Sequence, residues 1–493
     1  MDKKARLTEH QRDFFSLVSD AVVTNPFSDW RTELDMKIAG FFPESPDENI
    51  IDKTLEGVML RILELEKKGL TINSFEGHDR TLVENAFLFD FFYRYREKFD
   101  KLIQQQIDAG HSSIKVPFAR EAYTLLDSRG FNDETIYHYI AICYQIRRAF
   151  FFIRDSLIGQ SPAMKEFRRK LWNNVFTHDL RLYEKYLYSR MEDFSTLILG
   201  ETGTGKGTAA IAIGRSGFIP FDVNNNCFTE SFTQSFVSLN LSQFPETLIE
   251  SELFGHKKGA FTGAFEDFKG VFQRCSSNGA IFLDEIGEIT DPVQIKLLQV
   301  LQERIFTPVG SREQERFKGR VIAATNRSVN EIKNREVFRD DFYYRLCSDI
   351  INVPPLRQRI RETPDELNAL IAFTVKRMVG MDSPEYTAMV LDVIEKQLGL
   401  DYDWPGNVRE LEQCARSVLL NRNYMAGRKR KQGNIKETLV AGIEDGDMDA
   451  QALLSGYCRI LYERFGTFEE VARRAGLDRR TVKKHIMASG DTQ

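Results

Sequence analysis

Gly200-Glu201-Thr202-Gly203-Thr204-Gly205-Lys206 decides the fold of this 493-residue chain. The stretch directly follows the apolar run at 196–199 and leads into the helix-prone residues 208–213. Strand, glycine loop, helix is the context in which backbone N–H groups close around phosphate oxygens, aided by the partial positive charge of a helix N-terminus. Lys206 is placed to reach the outer phosphates as a point charge. Gly207 stands where a Ser or Thr magnesium ligand is usual, and Thr208 follows it. Residues Gly200 through Thr208 are therefore the expected cradle for ATP.

About eighty residues on, Ala280-Ile-Phe-Leu-Asp284-Glu285 is an apolar strand ending in two acids. Neighbouring strand residues point to opposite faces, so the two carboxylates are free to take separate tasks. Asp284 is expected to hold Mg2+ through water, and Glu285 to orient the water that attacks the γ-phosphate.

Between loop and acids lie Glu250-Ser-Glu-Leu-Phe-Gly255-His256 and Gly259-Ala260-Phe261-Thr262-Gly263-Ala264. These stretches resemble the central AAA+ domain of bacterial enhancer-binding proteins, the activators of sigma-54 RNA polymerase. The resemblance runs from Ile158-Gly159-Gln-Ser-Pro-Ala-Met164 to Trp404-Pro-Gly-Asn-Val-Arg409-Glu-Leu411, about half the chain. It implies an α/β P-loop NTPase with a helical lid, and it brings Ile158 and Gly159 to the nucleotide. It implies that Asn240 engages Glu285 as a switch, and that Thr325 and Asn326 sense the γ-phosphate. Arg339 and Arg345 become arginine fingers acting on a neighbouring subunit's site, and Arg409 a second sensor. Phe261 and Thr262 become the contact with sigma-54. An exposed phenylalanine between glycines has physical sense as a flexible stalk with an apolar tip. A guanidinium suits a finger because it stays charged and spreads that charge over a transferring phosphoryl group. Fingers acting in trans imply a homo-oligomer, a hexameric ring when active. The chain departs from the family pattern at Gly207, where a glutamate is common, and by apparent insertions near 182–191 and 213–236, both expected on loops.

Working outward, residues 1–155 read as an all-helical domain of regulatory type. Ile51, Leu55, Val58, Ile62 and Leu65 form a stripe at spacings of three and four, and helices are expected over 49–70, 81–109 and 133–157. The AAA+ core is expected over 156–358, with strands at 195–199, 236–239, 280–283 and 321–324 in a parallel sheet. A lid is expected over 359–425 and a polar linker over 426–450, with a basic run at 428–431.

Residues 451–493 hold eight Lys or Arg against five Asp or Glu. The stretch 467–486 reads as a helix-turn-helix: Ala472 at the crossing, Gly476 in the turn, Asp478 capping the second helix. Its small core would be Val471, Leu477, Val482 and Ile486. Arg479, Arg480, Thr481, Lys483 and Lys484 form the face expected to meet double-stranded DNA.

Composition narrows the class. Hydrophobic residues make 42% and charged residues 28%, which excludes a disordered or collagen-like chain. The richest apolar stretch, Ala149 to Ile153, is far short of a membrane span, and the N-terminus lacks a signal-peptide core. Six scattered cysteines fit reduced thiols in a cytoplasmic protein. The net charge of −5 leaves DNA binding to a local basic surface. Two readings follow: an ATP-hydrolysing activator of the sigma-54 holoenzyme, or a DNA-binding regulator whose nucleotide serves assembly alone.

Overall fold

In the computed structural model the described residues are 4–40, 50–328, 331–332, 337–424, 439 and 448–487. The chain divides into two compact units, Met1–Asn423 and Tyr424–Gln493. Most of the expected linker, its basic run included, lies outside the described residues.

The first unit opens with helices α1 (Glu9–Val23), α2 (Asp29–Ala39), α3 (Ile50–Lys67), α4 (Gly77–Arg94), α5 (Arg96–Ala109), α6 (Ala119–Ser128) and α7 (Asp133–Asp155). Their spacing explains their packing: Val58, Ile62 and Leu65 of α3 recur on one face, and that face is buried. The single helix expected over 81–109 is two. Tyr95 leaves helical backbone (φ −98°, ψ 3°) and stacks its buried ring 5.6 Å from Phe118.

Helix α8 (Pro162–Phe176) leads to a parallel sheet of β1 (Thr196–Leu199), β2 (Phe236–Asn240), β3 (Ala280–Asp284), β4 (Arg320–Thr325) and β5 (Asp349–Asn352). The strand order is β2-β3-β4-β1-β5. The edge strand β5, which pairs Asp349 with Thr196 and Asn352 with Leu199, was not expected from the sequence. Crossovers are α9 (Lys206–Gly214), α10 (Glu246–Phe254), α11 (Asp291–Glu303) and α12 (Asp340–Leu346), and the lid is α13 (Leu356–Glu362), α14 (Asp365–Val379), α15 (Pro384–Gln397) and α16 (Asn407–Asn421). The second unit holds α17 (Ala450–Phe465), α18 (Phe468–Ala475) and α19 (Arg479–Met487).

Strand alternation sends β1 into two cores: Ile198 faces one, Leu197 and Leu199 the other. The Ile198 core continues without a break through Ala209, Trp172 and Ile153 to Phe87 and Phe15, so it bridges the boundary expected near 155. The 213–236 insertion is a built joint rather than a free loop. Its short hairpin, Phe221–Asp222 with Cys227–Phe228, stacks Phe228 on Tyr144 of α7 at 4.0 Å and Phe221 on Tyr137 at 5.6 Å. The other insertion is a π-turn, Tyr183–Leu187, with the Tyr183 ring fully buried. Among the described residues no helix is long and apolar enough to cross a membrane.

Candidate nucleotide site and output surfaces

At the C-terminal ends of β1, β2 and β3 opens a cavity of about 500 Å³. Residues 202–208 line it with Asn240, Asp284, Glu285, Ile158 and Arg409. This is where open α/β sheets bind ligands. Gly203 (φ +80°) and Gly205 (φ +103°) take backbone that L side chains resist. A Cβ at Gly203 would also strike the Gly406 carbonyl of the lid, so glycine there permits the loop's close approach to α16. At Gly207 a Cβ would meet open space. Lys206 is buried, and its Nζ donates back to the Gly200 carbonyl at 2.9 Å and the Glu201 carbonyl at 3.4 Å. Burial pushes its pKa below the ordinary lysine range, while Glu285 and Asp284 pull it back up.

The lid grips the loop through residues that the sequence did not single out. Arg357 forms a bidentate pair with Glu201 at 2.5 and 2.7 Å. Asn407, fully buried at φ +53°, accepts from Leu356 N–H at 2.8 Å and donates to both Glu201 Oε2 and the Thr202 carbonyl at 3.1 Å. Its signal lay inside the quoted Trp404–Leu411 motif. Ile158 and Gly159 are held differently from each other. The Ile158 carbonyl accepts from Arg359 at 2.5 Å, and Gly159 abuts the buried Arg359–Glu366 pair rather than the cavity. Glu366 also accepts from Gln160 N–H at 2.8 Å and Ser161 N–H at 2.7 Å.

Asp284 ends β3, and Glu285 turns out of the strand at φ +55°, its N–H donating to Asp284 Oδ1 at 3.1 Å. A non-glycine residue held left-handed stores strain of a kind that gathers at functional sites. Asn240 does not meet Glu285 in this conformation. The parallel register sets it opposite Asp284, with a long 3.5 Å contact, and its Oδ1 caps the next turn through Ser242. Thr325 is buried at the end of β4, and Asn326 is exposed outside the cavity lining. Arg339 is exposed and paired with Asp341, while Arg345 donates to the Leu301 carbonyl at 2.9 Å. Neither arginine lines this chain's cavity.

The 259–264 loop stands on a small base where His256 and Phe268 exchange backbone hydrogen bonds of 3.0 and 2.9 Å. Gly259 (φ +82°) and Gly263 (φ +105°) turn its corners. Thr262 is exposed, and Phe261 is 37% exposed with His256 edge-on at 4.9 Å. Phe265, absent from the sequence reading, is 80% exposed and stands freer than Phe261.

In the second unit Cys458 and Leu461 of α17 join Val471 and Val482 in the core, with Leu477 and Ile486 half-buried against it. Gly476 turns at φ +69°, and Asp478 Oδ1 caps α19 by accepting from Arg480 N–H at 2.9 Å and Thr481 N–H at 3.0 Å. Thr481 spends its hydroxyl on Asp478, and Arg479 pairs with Glu469 at 2.9 Å. Arg480, Lys483 and Lys484 are exposed.

Residues 175–352 match the family model of the sigma-54 interaction domain. A Nif-specific regulatory protein of Azotobacter vinelandii is 41% identical over 268 residues, covering 54% of this chain and 45% of that protein. The DNA-binding transcriptional regulator NtrC of Rhizobium meliloti is 36% identical over 262 residues, 53% of this chain and 47% of that protein. The transcriptional regulatory protein GlrR of Escherichia coli K12 is 37% identical over 266 residues, 53% and 56%. The chain thus spans about half the length of the curated relatives it matches.

Proposed function

We propose, from the premise that residues 175–352 are a sigma-54 interaction domain of the AAA+ fold, that this chain is an ATP-driven activator of sigma-54 transcription. One observation carries the reading: the exposed 259–264 loop belongs to the same compact unit as the phosphate-loop cavity. A chemical site and an exposed contact within one compact unit are what a remodelling engine needs.

ATP phosphates take the backbone N–H groups of 202–208, and the Lys206 ammonium exchanges the Gly200 carbonyl for phosphate oxygen. The donor set suits Mg2+: Asp284 offers a hard carboxylate oxygen in the cavity wall beside the glycine loop. When bound, that ion neutralises charge on the β- and γ-phosphates. Glu285 orients the attacking water. Arg339 and Arg345, which lie outside this chain's own cavity, supply charge to the neighbouring subunit's γ-phosphate within a hexameric ring. Asn240 then moves from Asp284 towards Glu285 and reports the phosphate state to the loop that carries Phe261. Residues 451–493 hold the ring on upstream double-stranded DNA through Arg480, Lys483 and Lys484, and the protein works in the cytoplasm.

The test uses Phe261→Ala and Thr262→Ala. Both variants keep ATP turnover yet fail to form open complexes with the sigma-54 holoenzyme. Turnover lost together with sigma-54 engagement, or transcription left intact by Phe261→Ala, overturns the reading. Turnover absent from the unmodified chain favours nucleotide for assembly alone.

A further inference from the structure

Away from the phosphate loop, a second cavity of about 410 Å³ lies where α7, both insertions and the N-terminal edges of β3 and β4 meet. Strand β3 runs between the two cavities, from Ala280 in this one to Asp284 in the nucleotide site. Arg320, the first residue of β4, belongs to the lining and is only 8% exposed.

Arg320 is a buried charge without a counter-ion. Its Nε donates to the Phe194 carbonyl at 2.9 Å, and its Nη2 to the Asn174 carbonyl at 3.0 Å, Asn174 Oδ1 at 2.8 Å and Thr196 Oγ1 at 3.1 Å. All four acceptors are neutral. Nη1 donates to nothing among the described residues, yet it is not sealed: it keeps accessible surface, and Arg320 lines this cavity. The acid whose charge acts on Arg320, Asp349, is exposed, is held by Asn174 Nδ2 at 2.6 Å and stands outside the lining. Burial pushes the guanidinium down to about 10, which leaves it charged at neutral pH. An uncompensated buried cation is costly, and buried charges are ordinarily paired. Here the missing partner has room beside the free nitrogen.

The rest of the lining sets the body of the guest. Tyr137, His138, Tyr188, Phe218 and Phe221 are half-buried and so nearer solvent than Arg320. Tyr188 packs edge-on to His138 at 5.0 Å and to Phe218 at 4.8 Å, which joins three of the rings into a wall. Burial holds the His138 pKa below its ordinary value, so that ring is neutral at pH 7. Lys318 is exposed in the lining and adds positive charge, while the charge of Glu192 acts on Arg304. A bare inorganic anion would leave the rings uncovered, and an uncharged ring would leave Arg320 unpaired.

We infer that this cavity binds a small aromatic carboxylate, with the carboxylate on Arg320 Nη1 and the ring against Tyr188 and Phe218. The inference goes beyond the proposed function, because such a guest is a ligand separate from both the nucleotide and sigma-54. It gives the joint between α7 and the sheet an input of its own.

The test titrates benzoate and 1-naphthoate into the full chain by calorimetry. Each stands beside its uncharged alcohol, benzyl alcohol or 1-naphthalenemethanol, and acetate and inorganic phosphate serve as anions without a ring. At least one aromatic carboxylate binds one to one with a Kd below about 1 mM. Its alcohol, acetate and phosphate each bind at least about tenfold more weakly, the scale of one hydrogen bond to a charged group. Arg320→Gln removes the charge and abolishes binding. Since Arg320 also braces the Asn174 carbonyl, Ser277→Trp at the exposed rim supplies a second variant that leaves those bonds alone. It abolishes binding of the carboxylate while affinity for a non-hydrolysable ATP analogue stays intact. Saturation with that analogue leaves the carboxylate bound, which separates this site from Lys206, and a failure of the sigma-54 reading leaves the result standing. Overturning results are no binding by either aromatic carboxylate, equal binding of the alcohols or of the ringless anions, and displacement by the ATP analogue. Binding that survives Ser277→Trp, or Arg320→Gln in folded protein, overturns the inference as well.

Discussion

Replacing one carboxylate oxygen at position 285 separates binding from chemistry. Glu285 lines the cavity but, among the described residues, makes no side-chain hydrogen bond to the glycine loop, whereas Lys206 spans that loop. Glu285→Gln is expected to keep ATP affinity within a few-fold and to cut turnover by about 100-fold or more, the scale of general-base removal. A loss of affinity matching Lys206→Ala would refute the role. Asn407 carries the opposite kind of load. Asn407→Ala strips partners from the Leu356 N–H and the Thr202 carbonyl and leaves alanine, which tolerates left-handed backbone less well than asparagine, at φ +53°. The buried Leu356 N–H, the part-buried Thr202 carbonyl and the backbone term together predict about 2–3 kcal/mol of lost stability, read as a lower denaturation midpoint of the first unit. Asn407→Gly, which relieves the backbone alone, should fall between. The quoted motif around Trp404 contained this residue, yet its role depends on Glu201 and Thr202, some two hundred positions away. Local spacing carries no trace of such a partner, and the same holds for Phe265, whose freedom is set by what His256 covers instead.

At the scale of elements, what was legible divides by where the determining contacts lie. The strands β1, β3 and β4 are continuous apolar runs because both faces are buried, and those runs can be read directly. Strand β5 buries only Ile351 fully among its four residues at the sheet edge, too short a signal to stand out before Pro354 and Pro355. The break at Tyr95 was hidden because aromatic spacing runs smoothly across it. The insertion at 213–236 was legible as extra length but not as a joint, since its stacking partners Tyr137 and Tyr144 sit on α7. That joint makes a prediction about α7. Arg148 is fully buried and donates 2.7 Å bonds to the Arg215 and Gly217 carbonyls at the C-terminal end of α9, where a cation complements the helix dipole. Arg148→Met should leave two part-buried carbonyls without their Arg148 donors, cost about 1–3 kcal/mol, and weaken ATP binding although the substitution lies at the far end of α9. Unchanged ATP affinity in a folded Arg148→Met protein would show that α7 only supports the fold. For α19 the prediction is electrostatic. Replacing Lys483 and Lys484 with Gln removes two exposed cations, and the slope of log affinity against log salt should fall by about 1.8 if both meet phosphate. An unchanged slope places the DNA contact elsewhere.

The whole molecule poses a question that one chain answers only in part, because its cavity is furnished with cradle, acids and lid but with no arginine from 339 or 345. Arg339 is tied to Asp341 on the surface, at 40% exposure, and Arg345 is turned to the Leu301 carbonyl. A guanidinium facing outward costs little to redirect, since an exposed ion pair is worth at most about 1 kcal/mol. Of the two proposed fingers Arg339 is therefore the readier, since Arg345 would first have to give up its carbonyl. Turnover per subunit should rise with protein concentration as sites are completed by neighbours. Mixing supplies the decisive measurement. Arg339→Ala lacks the donated charge but keeps an intact cradle, and Lys206→Ala lacks the cradle but keeps the finger. Each alone should be nearly inactive, while a mixed ring juxtaposes the intact cradle of one with the intact finger of the other. Random mixing at equal amounts makes about one interface in four complete, so activity should recover to roughly a quarter of the unmodified rate if interfaces act independently. Mixed rings that form, by mass or by exchange of labelled subunits, and still show no recovery would place the finger in its own subunit's site and remove the reason for a ring.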